Sequence, residues 1–382
     1  DLILEEFRET LDPTSDLIEF LNPLGSDNTY YLDTGWVSSD STIELPNSSS
    51  IWIADKNTIG VNEPVKLTWT SDQNITFEKI ITLDENYLFS VDQRVINNSG
   101  LSFDLYPYGL SKRQGIPEMQ NFFILHEGPL SITDGVLEEY DYDDLKDDKK
   151  IKHSSVGGWI GMTDKYWQTA IIPNQNEPVQ QTYSYSFVDN IDNFQTDIVG
   201  ERIAVSNNAS ISHNFKIFAG PKIVNIIDKY MEEYGFDGFD RSVDFGWFYF
   251  LTKPIFNVLE FIYGYVGNFG WSIILFTVLM RICFFPLAQQ SFKSMAKMKK
   301  LAPEMQRLKE QYGDDRAGMQ KEMMALYKRE KANPIAGCLP ILLQIPVFFA
   351  LYKVLFVTIE MRHAPFIGLS LIHISEPTRR LI

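Results

Sequence analysis

The chain has 382 residues, enough for two or three domains, and a formal net charge of −16. Residues 1–242 hold 40 acidic and 17 basic side chains, net −23, whereas residues 243–382 hold 10 and 17, net +7, so an acidic soluble part precedes a basic, apolar one. Both cysteines, Cys283 and Cys338, fall in apolar stretches, which excludes a disulfide-stapled soluble part.

Residues 1–220 read as all-β. Short alternating runs recur between turn signals at 50–54, Val65–Thr70, Ile75–Leu83, 87–96, 101–105 and 181–187. In Val65–Thr70, the side chains of Val65, Leu67 and Trp69 share one face and those of Lys66, Thr68 and Thr70 the other, the pattern of a sheet with one buried and one wet side. Repeated over this length, the pattern predicts a large sandwich of two sheets. The charge run 138–150, EEYDYDDLKDDKK, reads as a solvated loop, since it lacks the residue spacing of a calcium loop. The five histidines, His126, His153, His213, His363 and His373, stand at no metal-ligand spacing. No G-x-S-x-G, P-loop or dinucleotide fingerprint is visible, so the expectation is a protein that is not an enzyme and uses no cofactor or metal.

The stretch 219–221 ends the last strand, and 221–242 reads as a linking helix, with Ile223, Ile226, Ile227 and Tyr230 at helical spacing within Lys222–Tyr234. Segment 243–267 is rich in aromatic residues: Trp247, Phe248, Tyr249, Phe250, Phe256, Phe261, Tyr263 and Tyr265. Pro254, Lys253 and Glu260 argue against a clean span, so an amphipathic helix lying at a membrane surface is predicted.

Residues 268–287 are the first predicted transmembrane helix. Their apolar core, FGWSIILFTVLMRICFFPL, would reach roughly 28 Å as a helix, close to the hydrocarbon thickness of a bilayer. One charge, Arg281, interrupts it. An arginine near a helix centre costs about 2.5–3.5 kcal/mol on insertion scales. Either the side chain snorkels towards the Leu287 end, about 9 Å away, or it faces protein or a wet cavity and marks a functional site.

Residues 288–333 carry 11 basic and 6 acidic side chains. Phe292, Met295, Met298, Ala302, Met305, Leu308 and Tyr312 step by threes and fours, a coiled-coil-like seam. Gly313 stops that helix, Asp314 or Asp315 can cap the next, and Met319, Met323, Leu326 and Tyr327 continue a matching stripe, so an antiparallel hairpin is predicted. Its methionines suit a face that accepts varied partners. Residues 334–358 form the second predicted transmembrane helix, with Pro334, Pro340, Pro346, Gln344 and Lys353; its prolines free carbonyls that only protein or a wet cavity can satisfy. The segment between the spans is short enough for the positive-inside rule, which puts the hairpin in the cytoplasm and the β-domain outside it. Residues 359–382 read as a truncated extracytoplasmic segment with a suspect tail after Gly368. The first residue is Asp1 and no signal peptide is visible, so a fragment is expected.

The runs GNFGWSIILFTVLMRICFFPL, SMAKMKKLAPEMQRLKEQYGDD and QKEMMALYKREKANPIAGCLPILLQIPVFFALY closely resemble the YidC/Oxa/Alb family of membrane protein insertases. The β-domain, with GGWIGMT at 157–163 and YWQTAIIP at 166–173, resembles the periplasmic domain of its Gram-negative bacterial members. The resemblance implies a multidomain membrane protein. Its all-β extracytoplasmic supersandwich would be followed by an all-α membrane region with an interfacial helix, two transmembrane helices and a cytoplasmic hairpin. It implies a bacterial inner-membrane insertase or chaperone that receives nascent membrane proteins on the hairpin and inserts them through a polar, lipid-open groove. The groove arginine matches Arg281 and the groove threonine matches Thr277. The substrate-contacting stretch matches Cys338, Pro340, Ile345, Pro346 and Phe348. Implied partners are the Sec translocon, the ribosome or targeting factors and the lipid bilayer, with no direct contact to nucleic acid. Family members have further transmembrane helices, so this chain alone is not expected to close a groove. The competing reading is a membrane-anchored extracytoplasmic sugar-binding or sensor protein, with Trp36, Trp159 or Trp167 stacking on a sugar. A scaffold with a partner-binding hairpin is a further one, but a plain anchor gains nothing from Arg281.

Overall fold

The structure, a computed structural model, describes residues 2–26, 28–117, 119, 125–313, 315–330, 339–366 and 369–370. The chain forms two compact units, Asp1–Asp244 with Val357–Glu360, and Phe245–Phe356 with Met361–Ile382.

The first unit is a β-sandwich. In chain order its strands are β1 (Leu2–Arg8), β2 (Leu17–Leu21), β3 (Tyr30–Val37), β4 (Ile53–Ala54), β5 (Val65–Thr70), β6 (Ile75–Leu83), β7 (Leu88–Asn97), β8 (Phe103–Gln114), β9 (Gly128–Thr133) and β10 (Val136–Glu139). Helix α1 (Tyr142–Asp148) follows, then β11 (Lys150–Val156), β12 (Trp159–Thr163), β13 (Trp167–Ile172), β14 (Pro178–Val188), β15 (Ile191–Val199), β16 (Ile203–Val205), β17 (Ser210–Pro221) and helix α2 (Val224–Tyr234). One sheet has nine strands in the order β10-β9-β12-β13-β17-β7-β6-β5-β4. The other runs β11-β14-β15-β8-β16, with β3 also paired to β8, and β1–β2 form a separate hairpin.

Strand β8 shows why the sheets face each other. Phe103, Leu105, Pro107, Gly109, Ser111 and Arg113 are buried, and every residue between them is half-exposed, a strict two-residue period. The run 101–105 captures only its start, because the inner face then turns to proline, glycine, serine and arginine, residue types that hide the alternation. Between the sheets, one apolar cluster gathers Ile160, Ile171, Tyr183, Phe194 and Phe215, and another gathers Trp36, Ile75, Phe77, Val95 and Leu105.

Arg113 bolts the two layers together. Its guanidinium pairs in two-pronged fashion with Asp164, in the turn after β12, at 2.6 and 2.7 Å. It also donates to Tyr142 Oη at 3.1 Å and lies over the Tyr30 ring at 4.0 Å. Burial, the largest single influence, would lower the Arg113 pKa, but the Asp164 carboxylate together with the Tyr142 and Tyr30 hydroxyls outweighs it and holds the group well above its ordinary value.

Two expectations change. Within 138–150 the chain is not a simple loop: Glu139 ends β10, and Tyr142–Asp148 is helical, with Tyr142 and Leu145 buried. These two residues lie three apart on one helical face, a pattern masked by five aspartates in the run. The run 50–54 contributes only Ile53–Ala54 to the nine-stranded sheet, as an edge strand with Ile51 and Ile53 exposed.

The second unit is helical: α3 (Tyr249–Val266), α4 (Phe269–Tyr312), α5 (Arg316–Arg329) and α6 (Leu339–Val357), with a short hairpin of β18 (Pro365–Phe366) and β19 (Leu369–Ser370). Helix α4 runs on past residue 287, through Pro286 and Pro303, so its apolar part and the first hairpin arm are one continuous rod.

Candidate functional site

Helices α4 and α6 are long and apolar enough to cross a membrane, and only 11% and 22% of their most apolar windows are buried. Low burial separates them from the core helices of a soluble protein. The start of α4 is built locally. Asn268 caps it, accepting from Trp271 N–H at 3.2 Å, while its amide donates to the Pro365 carbonyl at 2.8 Å. At Gly270 a Cβ would lie 2.0 Å from the Phe366 ring, so only glycine lets β18 come this close. Phe269, Ser272 and Phe276 are buried along one stripe, and Phe269 stacks on Tyr263 of α3 at 4.0 Å. On α3 the buried stripe is Thr252, Ile255, Phe256 and Leu259, whereas Phe250, Val258, Phe261 and Tyr265 are exposed on another face. A helix apolar on two faces is suited to packing on protein with one and lipid with the other.

Thr277 and Arg281 lie four residues apart on α4, one above the other on a flank of the packed stripe, and both are exposed. Thr277 Oγ1 donates back to the Ile273 carbonyl at 2.8 Å. Arg281 forms no ion pair among the described residues. On α6, Ile345 and Phe348 are exposed, Pro340 and Pro346 are half-buried, and Pro346 inside the helix leaves the Leu342 carbonyl without its usual donor. Cys338 lies outside the described residues, as do Pro334, Asp314 and His373. No cluster of His, Cys, Asp or Glu able to hold a metal occurs among the described residues.

The hairpin packs Leu301 against Leu326, with Met298, Met305 and Leu308 around them. Tyr327 Oη approaches Met305 Sδ at 3.7 Å and Arg329 pairs with Glu304 at 3.1 Å, so the arms run antiparallel. Asp315 caps α5, accepting from Gly318 N–H at 3.0 Å. The seam differs from the expectation at one position: Ala302 is exposed and Leu301 takes its place, because 298, 301, 305 and 308 keep the alternating three–four step of a packed heptad. Phe292 and Met295, further up the same arm, are exposed. In the β-sandwich, Trp36 and Trp159 are buried, and Trp159 Nε1 donates to the Asp237 carbonyl at 3.2 Å, so neither presents a ring for stacking; Trp167 is half-buried, edge-on to Phe7 at 5.2 Å.

A two-sheet sandwich followed in the chain by a helical region that holds, among the described residues, two helices long and apolar enough to cross a membrane is the make-up of a membrane protein with a large folded β-domain. Residues 1–258 match the family model described as YidC periplasmic domain, and residues 261–380 match that described as 60Kd inner membrane protein. The chain belongs to the YidC family. A relative from Rickettsia canadensis (strain McKiel), "Membrane protein insertase YidC", is 45% identical over 369 residues, 96% of this chain and 66% of the relative. One of the same name from Rickettsia conorii (strain ATCC VR-613 / Malish 7) is 44% identical over 380 residues, 99% of this chain and 68% of the relative. The chain thus spans about two thirds of the length of these relatives. Among solved structures, a galactose mutarotase related enzyme from Lactobacillus acidophilus is 10% identical, with a TM-score of 0.33 over 44% of this chain and 70% of that one, a likeness too remote to bear on activity.

Proposed function

We propose that the protein is part of an insertase of the bacterial inner membrane, a multi-pass protein with its β-domain in the periplasm. Nascent membrane proteins arrive at the cytoplasmic hairpin, delivered by ribosomes or targeting factors. They enter the bilayer through a polar groove open to lipid, alone or beside the Sec translocon. Thr277 and Arg281 line the groove, and the substrate helix passes along Cys338, Pro340, Ile345, Pro346 and Phe348. Helix α3 lies at the membrane surface. The observation that carries this reading is the juxtaposition of Thr277 and an exposed Arg281 on the flank of the apolar part of α4, which is long enough to cross a membrane. Guanidinium stays charged at any physiological pH. Against a carboxylate 4 Å away, it gains about 4 kcal/mol at an effective dielectric of 20, against about 1 kcal/mol in bulk water. A recess of intermediate polarity therefore draws in an acidic or polar tail without trapping it, and no covalent or nucleotide-driven step is required.

A photoreactive residue at Thr277, Ile345 or Phe348 of the complete protein should crosslink to a nascent membrane helix stalled on the ribosome. The same probe at Leu279, on the opposite side of α4, should crosslink mainly to lipid. Equal substrate crosslinking at Leu279 and Thr277 would contradict the assignment of the groove face.

A further inference from the structure

Strand β17 is paired along only part of one side. It pairs with β7 from Ser210 to Phe218, but with β13 only from Lys216 to Pro221. Residues 210–215 therefore keep a free edge of roughly 20 Å, at about 3.3 Å per residue. The main-chain groups of a strand point to its two sides alternately. Ala219 N–H donates to the Tyr87 carbonyl, on the β7 side. By that alternation Ser212 and Asn214 turn their N–H and C=O groups the other way, to the edge that β13 has left, where they meet no main-chain partner among the described residues. The sequence explains the departure. Pro173, directly after β13, has no N–H to donate. Gln175 then ties the loop towards β12: its side-chain amide accepts from Gly158 N–H at 3.2 Å and donates to the Gly158 carbonyl at 3.0 Å. A cleft of about 460 Å³ opens at the gap, with Pro173, Glu177, Ser212, Asn214, Lys216 and Tyr234 in its lining. On the inner face of the sheet, Glu177 reaches His213 Nε2 at 2.9 Å. On the outer face, Lys216 Nζ lies over the Tyr234 ring at 5.3 Å, and Tyr234 stacks on Phe236. Ser212 is exposed and Asn214 half-buried, so the free edge is within reach of a partner.

We propose that this edge is a peptide-binding site: an extended segment of another polypeptide adds to residues 210–215 as a strand, with a basic side chain turned towards Glu177. Two observations select this occupant. The free groups are main-chain donors and acceptors in strand geometry, and the matching row at that spacing is another extended chain. The charge is the second: residues 1–242 carry a net −23, and the Glu177 side chain is 19% exposed, which favours a cationic guest over an acidic one. Strand addition gives the β-domain a binding role of its own, one that the insertase reading does not supply.

The test measures fluorescence anisotropy of a labelled, end-blocked hexapeptide, Thr-Val-Lys-Val-Thr-Val, added to the complete protein in detergent micelles. Two analogues keep every side chain but are N-methylated on the main chain, one at its three valines and the other at its three remaining residues, so each loses the donors along one edge. One analogue should bind about tenfold more weakly than the parent, and the other about as well. Asn214→Pro removes a free N–H without touching the β7 pairing and should weaken the parent peptide about tenfold. Glu177→Gln should weaken it about threefold, and a peptide with threonine in place of lysine should not sense that change. Both analogues binding as tightly as the parent would show recognition through side chains alone and overturn the proposal, and this arm needs no protein variant that has to fold. No binding of the parent peptide to a protein that unfolds cooperatively overturns it as well, as does equal or tighter binding of a peptide with glutamate in place of lysine. Light scattering covers the remaining occupant: a dimer that Asn214→Pro returns to monomers would make it a second copy of this chain, against the proposal.

Discussion

Asp164→Ala should destabilise the β-domain by about 3 kcal/mol, the lower end of the range for breaking a buried ion pair because the Asp164 side chain is 18% exposed. The cost comes from what remains. Arg113, buried between the sheets, would keep its charge and its contact with Tyr142 but lose both carboxylate bonds. For a domain of this size, such a loss corresponds to a fall in melting temperature of about 6–12 °C. Replacing both partners, Arg113→Met with Asp164→Leu, should recover most of it, since an apolar pair of similar volume avoids the stranded charge. Thermal unfolding followed by tryptophan fluorescence would check this; a double variant as unstable as Asp164→Ala would mean that packing around Tyr30 and Tyr142, rather than the unpaired cation, sets the cost.

Arg281→Ala should slow insertion of substrates with acidic translocated tails by roughly tenfold or more, with little effect on substrates whose tails are neutral. Tenfold is about 1.4 kcal/mol, a third of the attraction of about 4 kcal/mol expected at intermediate polarity. Arg281→Lys keeps the charge but not the planar fork, so it should retain most of the rate for a tail that needs only a point charge. An equal loss for acidic and neutral tails would make Arg281 a packing residue instead.

The parts of this molecule that could be read from its residues are those set by local periodicity. The apolar lengths of α4 and α6, the heptad steps of the hairpin and the alternation of Val65–Thr70 need only neighbours within one helix or strand. The seam slipped by one residue because alanine at 302 and leucine at 301 both fit a helical step, and only the facing Leu326 selects between them. Helix α1 is masked in the sequence because the aspartates around Tyr142 and Leu145 outweigh these two buried side chains. Contacts such as Arg113 with Asp164, or Val224 with Glu360, depend on sheet register and chain return across 51 and 136 positions, and no local pattern announces them. An asparagine directly before an apolar run is a helix-start signal, so the Asn268 cap could have been found; its second bond, to Pro365, could not.

An insertase groove on this face requires water to reach the middle of α4 beside Arg281. In the complete protein in its membrane, with every native cysteine, Cys283 and Cys338 among them, changed to serine, a single cysteine at position 281 can be probed with a membrane-impermeant thiol reagent from the cytoplasmic side. A short side chain cannot snorkel, so labelling reports water at the helix itself. A hydrated groove should give rapid labelling at 281 and 277 and none at 279. If position 281 is as unreactive as 279, there is no hydrated recess and the proposed mechanism fails.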